Sequence, residues 1–399
     1  MNRRLRTIII SATTACLAQA CDPLPTDSED VSDMIRYRFA TFNIAMGLSE
    51  PGLMAAALQS TEDPRLELLA AILQTVRPDV VLLNEFDYDP AIDAAGLLNR
   101  NYLERAGDDR EPLAYPYSLY PPVNTGVDSG FDLDANDTLG EPTDAWGYGT
   151  FPGQYGMLIL SKFPIDEGAV RSFQKLRWSE LPGALRPMNE NGTPYYPDEI
   201  WSQLRLSSKS HLDVPIDLGE HTVHLLASHP TPPVFDGPED RNGMRNHDEL
   251  KFWAHYISEH ESPWIVDDSG HRGGLAAEAA FIIAGDLNAD PVDGDARRGA
   301  IAQLLDHTRV DSSCVPESPG GAEATAVQKG INLAHRGDPA ADTSDFNDET
   351  VGNYRLDYLL PSRDIETLDC GVLWPESNAA IHEAATFSDH RLVWIDVAP

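Results

Sequence analysis

Short apolar runs that stop abruptly at polar residues constrain this chain more than any other feature. Such runs end at Asn43, at Glu85, at His229, and at Asp286 followed by Asn288. Apolar runs of roughly four to eight residues that are bounded by turn residues are typical of buried strands. Because alternate side chains of a strand point the same way, Asp286 and Asn288 are predicted to face one cleft.

Helical patterns occur between some of these runs. Apolar residues recur at helical spacing in residues 64–76, and residues 245–260 show a second amphipathic pattern. A chain that mixes such strands and helices is predicted to have an α/β or α+β architecture. Residues 37–399 contain no internal repeat and no linker-like change of composition, so we predict that they form one domain.

The composition is that of an ordinary globular protein, but the charge is unusual. The 399 residues are 42% hydrophobic and 23% charged, and 29 basic against 64 acidic residues give a net charge of −35. Nucleic-acid-binding proteins usually carry a basic surface, because neutralising phosphates supplies much of their affinity. The charge therefore disfavours a processive nuclease without excluding one, and it favours binding of a divalent cation.

The first residues predict export. Residues 1–20 have a basic start, an apolar middle and a small-residue end, which is the pattern of a secretory signal and is too short for a membrane span. The ending "LAQAC" also fits a lipobox, in which Cys21 would carry a lipid that anchors the protein to a membrane. Plain cleavage before Cys21 is the alternative, and both predict a periplasmic, outer-surface or extracellular protein. Residues 21–36 are acidic and non-periodic, so they are predicted to be a tether.

Two cysteines of the main domain leave a choice open. In an oxidising compartment, Cys314 and Cys370 can pair as a disulfide. Two buried free thiols are the alternative, because the sequence alone does not show whether their Cα atoms lie within bonding range.

A set of motifs along the chain resembles a known family. The motifs are "TFNI", "NEF", "YGMLILSKFPI", "ASH", "GDLNADP", "RLDYLLPS" and "SDHRLVWIDV". They are similar to those of the endonuclease/exonuclease/phosphatase superfamily, whose members are metal-dependent phosphoesterases, and they run from Tyr37 to Val397. "GDLN" with a later "SDH" is the specific pair. The resemblance implies a four-layer α/β/β/α sandwich with two packed mixed β-sheets.

The resemblance also implies a metal site. It makes Glu85 the main ligand, with Asn43 and Asp389 completing an oxygen-rich cage for Mg²⁺ or Mn²⁺. It lets Asp286 hold a second metal ion. Several carboxylates that converge in one cleft without a cation would repel one another and the substrate.

Catalytic roles follow from the same resemblance. His390 corresponds to the base that activates water, and Asp357 to the carboxylate that orients it. His229 corresponds to a residue that contacts the phosphate and assists the leaving group. Asp286 and Asn288 correspond to residues that position the nucleophile and the phosphate. By the same comparison, Asn43 also lies at the substrate, and Ser388 braces its loop.

A long insertion between "NEF" and "YGMLILS" departs from the minimal family pattern. Asp132, Asp134 and Asn136 stand at positions 1, 3 and 5 of a calcium-loop spacing. However, Asp137 replaces the usual glycine and Thr143 replaces the usual glutamate. Calcium binding and an acidic solvated loop therefore stay open as alternatives.

A second unusual segment follows His229. Its polar side chains include Arg241, Arg245, Asn246 and His247, which are donors suited to a substrate phosphate or polar head group. A loop that caps a helix and carries incidental charges is the alternative.

These observations predict an exported or lipid-anchored, divalent-metal-dependent phosphoesterase that uses metal- and histidine-assisted in-line attack of water. An extracellular nuclease acting on DNA or RNA is the alternative enzyme. A non-catalytic surface-binding protein on the same fold is disfavoured, because none of the matched site positions is lost.

Overall fold

Two β-sheets form the centre of the computed structural model, which describes residues 35–107 and 110–399. The predicted signal, the lipidation site at Cys21 and nearly all of the predicted tether lie outside the described residues. The strands are β1 (Tyr37–Met46), β2 (Val80–Phe86), β3 (Tyr117–Leu119), β4 (Met157–Ser161), β5 (Arg171–Ser172), β6 (His211–Asp217), β7 (Thr222–Ser228), β8 (Ala280–Asp286), β9 (Ser344–Asp345), β10 (Asn353–Tyr354), β11 (Asp357–Pro361), β12 (Glu366–Val372) and β13 (Val393–Ala398).

The helices are short, apart from two. They are α1 (Leu53–Gln59), α2 (Pro64–Val76), α3 (Ala94–Leu98), α4 (Asp198–Trp201), α5 (Arg241–Tyr256), α6 (Ala302–Leu305), α7 (Pro319–Gln328) and α8 (His382–Ala385). Further turns are 3₁₀-helical at Pro142–Asp144, Trp178–Glu180, Gly330–Ala334 and Pro339–Ala341, and π-helical at Asn99–Leu103. Within the described residues, no helix combines the length and the apolar composition that a membrane span requires.

Both large sheets are mixed. The first has the order β12-β13-β1-β2-β4-β3, and the second has the order β11-β8-β7-β6-β5. In the first sheet β1 and β2 are parallel, and in the second β7 and β8 are parallel, whereas the other neighbours are antiparallel. Strands β9 and β10 form a separate small ribbon.

The buried side chains show how the layers pack. Leu82 of β2 and Ile282 of β8 belong to one apolar cluster that fills the space between the sheets. The neighbouring residue Leu83 faces a second cluster under α2, and Ile283 faces a third cluster under α5. This alternation is expected of strands that are buried on both faces. The predicted fold class is confirmed: two mixed sheets pack face to face, and the few helices lie outside them.

A disulfide joins Cys314 and Cys370, whose Cα atoms are 6.3 Å apart. It links the segment before α7 to strand β12 of the first sheet. The structure thus decides between the two alternatives that the sequence left open for these cysteines.

Candidate active site

Strand directions bring the polar residues to one edge of the sandwich. The parallel strands β1 and β2 reach this edge with Asn43 and Glu85, and β7 and β8 reach it with His229 and Asp286. Strand β11 runs antiparallel to β8, so its first residue, Asp357, pairs directly with Asp286. The segment that carries His390 precedes β13, which runs antiparallel to β1 and therefore begins at the same edge.

Asp286 is the centre of the side-chain contacts. It is 1% exposed, and its Oδ2 accepts a hydrogen bond of 3.0 Å from Asn43 Nδ2 in the other sheet. The same oxygen lies 3.3 Å from His229 Nε2 and 3.6 Å from His390 Nε2. Its other oxygen accepts the backbone N–H of Asn288 at 3.0 Å. One carboxylate thus holds residues of both sheets together.

His390 and Asp357 form a hydrogen-bonded pair. His390 Nδ1 lies 2.8 Å from Asp357 Oδ2, which also accepts a 2.8 Å bond from Thr343 Oγ1. In a neutral imidazole this contact places the proton on Nδ1 and leaves Nε2, which faces Asp286, free to accept a proton. Burial disfavours the charged form of His390, but the charges of Asp357 and Asp286 outweigh burial and raise its pKa. The pair therefore has the geometry of a general base and its orienter.

His229 has the opposite electrostatic environment. Burial lowers its pKa first, and the positive charge of Lys209 lowers it further. A neutral His229 can donate one hydrogen bond from Nε2 toward Asp286 or a bound phosphate oxygen. The two histidines of the site thus differ in charge preference: His390 favours the protonated form, and His229 favours the neutral form.

Lys209 is a site residue that the sequence analysis missed. It is 6% exposed, and Glu85, Glu249 and Asp286 are the acidic groups that act on it. Strand β6 begins two residues later and pairs with β7 so that His211 lies opposite Ser228, which brings Lys209 beside the segment of His229. Burial lowers its pKa. The available signal was a single lysine, within "SSKSH", directly before a strand.

Backbone strain marks two of the predicted residues. Glu85 has a φ of 58° and Asn288 has a φ of 52°, which are left-handed conformations that non-glycine residues adopt rarely. Glu85 is half-buried at the end of β2, and its negative charge acts on Lys209. Such strain persists where the surrounding structure enforces it, and it is frequent at functional sites.

A family profile matches nearly all of the residues that form the two sheets. Residues 40–390 match the profile of the Endonuclease/Exonuclease/phosphatase family. The chain belongs to this family. No curated protein matches the sequence.

Solved structures with this fold span nearly the whole family domain. An endonuclease/exonuclease/phosphatase from Beutenbergia cavernae is 17% identical, with a TM-score of 0.49, over 91% of this chain and 71% of that one. Sphingomyelinase C from Streptomyces griseocarneus is 17% identical, with a TM-score of 0.44, over 91% and 99%. Beta toxin from Staphylococcus aureus, with bound magnesium ions, is 13% identical, with a TM-score of 0.44, over 90% and 99%. Similarity at this level of sequence identity does not establish the activity of this chain.

The donor set of this family member fits a divalent cation. Asp286, Asp357 and His390 offer ligand atoms that all lie within 4.8 Å of one another, and Asp357 Oδ1 is buried without a hydrogen-bond partner. Glu85 and Asp389 are not members of this close group. Glu85 contributes a half-buried carboxylate to the same cleft, whereas Asp389 is exposed. A cation would offset the mutual repulsion of these carboxylates.

Ser388 connects the segment of His390 to the first sheet. Its hydroxyl donates to the carbonyl oxygen of Asn43 at 2.8 Å and accepts the N–H of His390 at 3.0 Å. These bonds fix the loop that carries His390 relative to β1. The geometry agrees with the bracing role that the sequence predicts.

Arg245 and Asn246, which the sequence predicts to bind substrate, make structural contacts within the protein. Arg245 also lines a cavity that Glu85 and Lys209 line, so the substrate contacts of Arg245 and Asn246 stay predictions. The Arg245 guanidinium donates to the carbonyl oxygens of Trp146, Arg205, Leu206 and Ser207. Asn246 is fully buried, and its Nδ2 donates to the carbonyl oxygens of neighbouring loops. The sequence shows that these side chains are donors, but it does not show that backbone carbonyls already accept from them.

The other two donors of that segment are also paired. Arg241 forms an ion pair with Glu239. His247 Nδ1 lies 3.0 Å from Asp248 Oδ1, and its ring is half-buried.

The insertion contains a second acidic group, with a different membership from the one predicted. Carboxylate oxygens of Asp132, Asp134 and Asp144 lie within 4.8 Å of one another, close enough to hold a metal ion. Asn136 instead donates from its amide nitrogen to Asp134 and Glu141. The predicted ligand Asn136 is therefore replaced by Asp144, which comes from a later turn of the insertion. Calcium itself stays a prediction.

Proposed function

We propose that this protein is a divalent-metal-dependent phosphoesterase that hydrolyses phosphate ester bonds by in-line attack of water. The observation that carries the proposal is the buried Asp357–His390 pair, whose Nε2 faces Asp286 beside His229. A fixed base beside a neutral donor, at the mouth of a carboxylate cleft, suits attack on a tetrahedral phosphorus centre.

The proposed reaction assigns a task to each residue. His390 Nε2 takes a proton from water as the new P–O bond forms, and Asp357 stabilises the resulting imidazolium. Lys209 and His229 contact the phosphate oxygens, and the bond to the leaving oxygen breaks on the opposite side. Asn288 and Asp286 hold the water and the phosphate in line. Mg²⁺ or Mn²⁺, held by Glu85, Asn43 and Asp389 with Asp286 nearby, would supply positive charge to the phosphate oxygens.

Small or medium phosphate esters are the proposed substrates. A net charge of −35 opposes the approach of a long polyanion, which makes DNA or RNA a less favourable substrate. Duplex DNA and RNA therefore belong in the first substrate panel beside a chromogenic phosphodiester and a phosphomonoester. Faster hydrolysis of nucleic acid than of every small ester would replace this substrate class with the nuclease alternative.

The decisive experiment is the Glu85→Gln variant. It keeps the side-chain volume but removes the charge that holds the cation, so we expect hydrolysis to fall about a hundredfold or more with Mg²⁺ or Mn²⁺. Binding of Mn²⁺, measured by electron paramagnetic resonance, should weaken in parallel. Glu62→Gln, at an exposed position, is the matched control. Undiminished hydrolysis by Glu85→Gln, or by the chelator-treated protein, would overturn the assignment.

We also propose that the protein is exported and lipid-anchored through Cys21. The pattern of residues 1–20 supports export, and the disulfide between Cys314 and Cys370 is compatible with an oxidising compartment. Mass spectrometry of the mature protein should find an acylated first residue at Cys21. An unmodified residue there would favour plain secretion.

A further inference from the structure

A cavity of about 530 Å³ opens directly beside the proposed phosphate site. Glu85 and Lys209 are among its lining residues, so it adjoins the cleft of the candidate site. The remaining walls come from the insertion, from the segment before β6, from the loop after β7 and from the first turns of α5, all of which lie outside the two sheets. Cavities of this size enclose small organic molecules in other proteins.

The walls of this cavity are mainly apolar and aromatic. Leu133, Trp178 and Leu204 are buried along it. Tyr148 and Phe235 also line it, although they are 58% and 87% exposed, so they stand at its mouth. Large apolar side chains that gather at the rim of a cavity indicate a surface that a ligand covers.

Several polar groups of the walls are paired within the protein, although Thr231 Oγ1 is buried without a hydrogen-bond partner. Trp178 Nε1 donates to Asp248 at 2.7 Å, Arg241 is paired with Glu239, and Arg245 donates to backbone carbonyls. Arg241 is thus ion-paired, whereas Arg245 has backbone carbonyl partners and no carboxylate partner among the described residues. The apolar and aromatic surface of the walls nevertheless suits an uncharged flat group better than a chain of phosphates such as a nucleic-acid backbone.

We infer that this cavity holds an apolar aromatic group of the substrate while the phosphate of the same molecule lies at Glu85 and Lys209. The inference rests on the proposed function, because the phosphate site fixes one end of the ligand. It narrows the substrate class to phosphate esters of a bulky aromatic or similarly flat apolar organic group. Affinity for such a group comes from removing its apolar surface from water.

Binding of two phosphonates that are not hydrolysed tests the inference. With Mg²⁺ present, isothermal titration calorimetry should find that 1-naphthylmethylphosphonate binds about tenfold or more tightly than methylphosphonate. Ala145→Leu fills the cavity from its buried wall, and Tyr148→Ala removes an aromatic ring from its mouth. Both variants should reduce the preference for the naphthyl probe, with Ala145→Leu bringing it to within about threefold of the methyl probe.

A matched control uses the second cavity of the molecule. Ala324 lines a cavity of about 570 Å³ beside Asp389, so Ala324→Leu makes the same substitution on the other side of the site. This control should leave the naphthyl preference unchanged. Equal affinities of the two probes for the unmodified protein, no binding of either probe, or a preference lost only in Ala324→Leu would each overturn the inference.

Hydrolysis of 4-nitrophenyl methyl phosphate separates this inference from the proposed function. If the protein hydrolyses this small ester but shows no naphthyl preference, the cavity assignment fails and the phosphoesterase assignment stands. If it binds the naphthyl probe through the cavity but hydrolyses no phosphate ester, the proposed function fails and the binding site stands.

Discussion

Two acidic groups in this molecule look alike by composition and differ in construction. Asp286 and Asp357 stand opposite each other on adjacent strands, whereas Asp132 and Asp134 lie in one loop with Asp144 at its next turn. Each group brings its ligand atoms to within 4.8 Å of one another. Distance between carboxylates therefore does not distinguish them.

Their hydrogen-bond partners do distinguish them. In the insertion, Asp132 accepts the backbone N–H groups of Asn136 and Asp137, and Asp144 accepts that of Leu133. These bonds order a loop. On the strands, the Oδ2 atoms of Asp286 and Asp357 accept only from side chains, two of which are histidines. Carboxylates that face titratable side chains can take part in proton transfer, whereas carboxylates that cap backbone donors mainly stabilise local structure.

The largest expected effect concerns the strand group. Removing the base with His390→Ala should lower the hydrolysis rate by about 10² to 10⁴. Asp357→Asn should also lower the hydrolysis rate. The rate of the double variant should be only slightly lower than that of His390→Ala, because the two residues act as one unit. His247→Ala, at a half-buried histidine outside the cleft, is the control. The measurement is the hydrolysis rate of the two single variants and the double variant. If the rate losses of the single variants multiply in the double variant, His390 and Asp357 act independently.

A smaller effect is expected at Lys209, where activity and stability should separate. Lys209→Met removes a positive charge from the phosphate site, and we expect kcat/KM to fall about tenfold to a hundredfold. The free energy of unfolding should fall by less than about 1 kcal/mol, or rise, because a buried ammonium group is costly to desolvate. Urea denaturation and steady-state kinetics on the same preparation test this. A large loss of stability with full activity per folded molecule would make Lys209 structural.

The smallest effect on activity is expected in the insertion. Asp144→Ala leaves the buried backbone N–H of Leu133 without its acceptor, so the free energy of unfolding should fall by about 1–3 kcal/mol. The rate on a small phosphodiester should change by less than about threefold, because the loop does not carry the base.

Calcium can be tested on the same loop. A rise of the melting temperature with Ca²⁺ that Asp134→Asn abolishes would favour the bound ion, since a ligand of the native state stabilises it. If Ca²⁺ does not raise the melting temperature, the result favours the acidic solvated loop. A large loss of hydrolysis rate in Asp144→Ala would instead show that the acidic group of the insertion, like the strand group, is needed for activity.

The sequence predicts the buried parts of this fold well because burial leaves a pattern. The apolar runs at β1, β2, β4, β7, β8, β11 and β13 are all strands, and α2 spans residues 64–76 as predicted. Strand β6 escaped prediction because it contains Pro215 and its apolar residues alternate with His211, Asp213 and Asp217, so that it lacks a continuous apolar run. Strand β12 escaped because most of its side chains are only partly buried, so that its pattern is not apolar.

Prediction of the site residues also fails where burial leaves no apolar pattern in the sequence. Lys209 precedes β6, so missing that strand also concealed the neighbour of His229. Arg245 shows the converse, because a donor is visible in the sequence while its acceptors are carbonyl groups of distant loops. Motifs predict which residue types meet at the strand ends, whereas the pairing of exposed donors depends on loop paths that leave no periodic pattern.

The position of β13 beside β1 has a consequence for the order of events during synthesis. Tyr37 pairs with Val397, so the central strand of the first sheet lacks one neighbour until nearly all of these residues have been made. The segment of His390 is translated after most of the strands of both sheets, and the Asn43–Asp286 bond joins segments separated by 243 positions. Contacts this distant in sequence form slowly. The first sheet of a nascent chain therefore stays incomplete, and the candidate site unassembled, until the residues of β13 have been made.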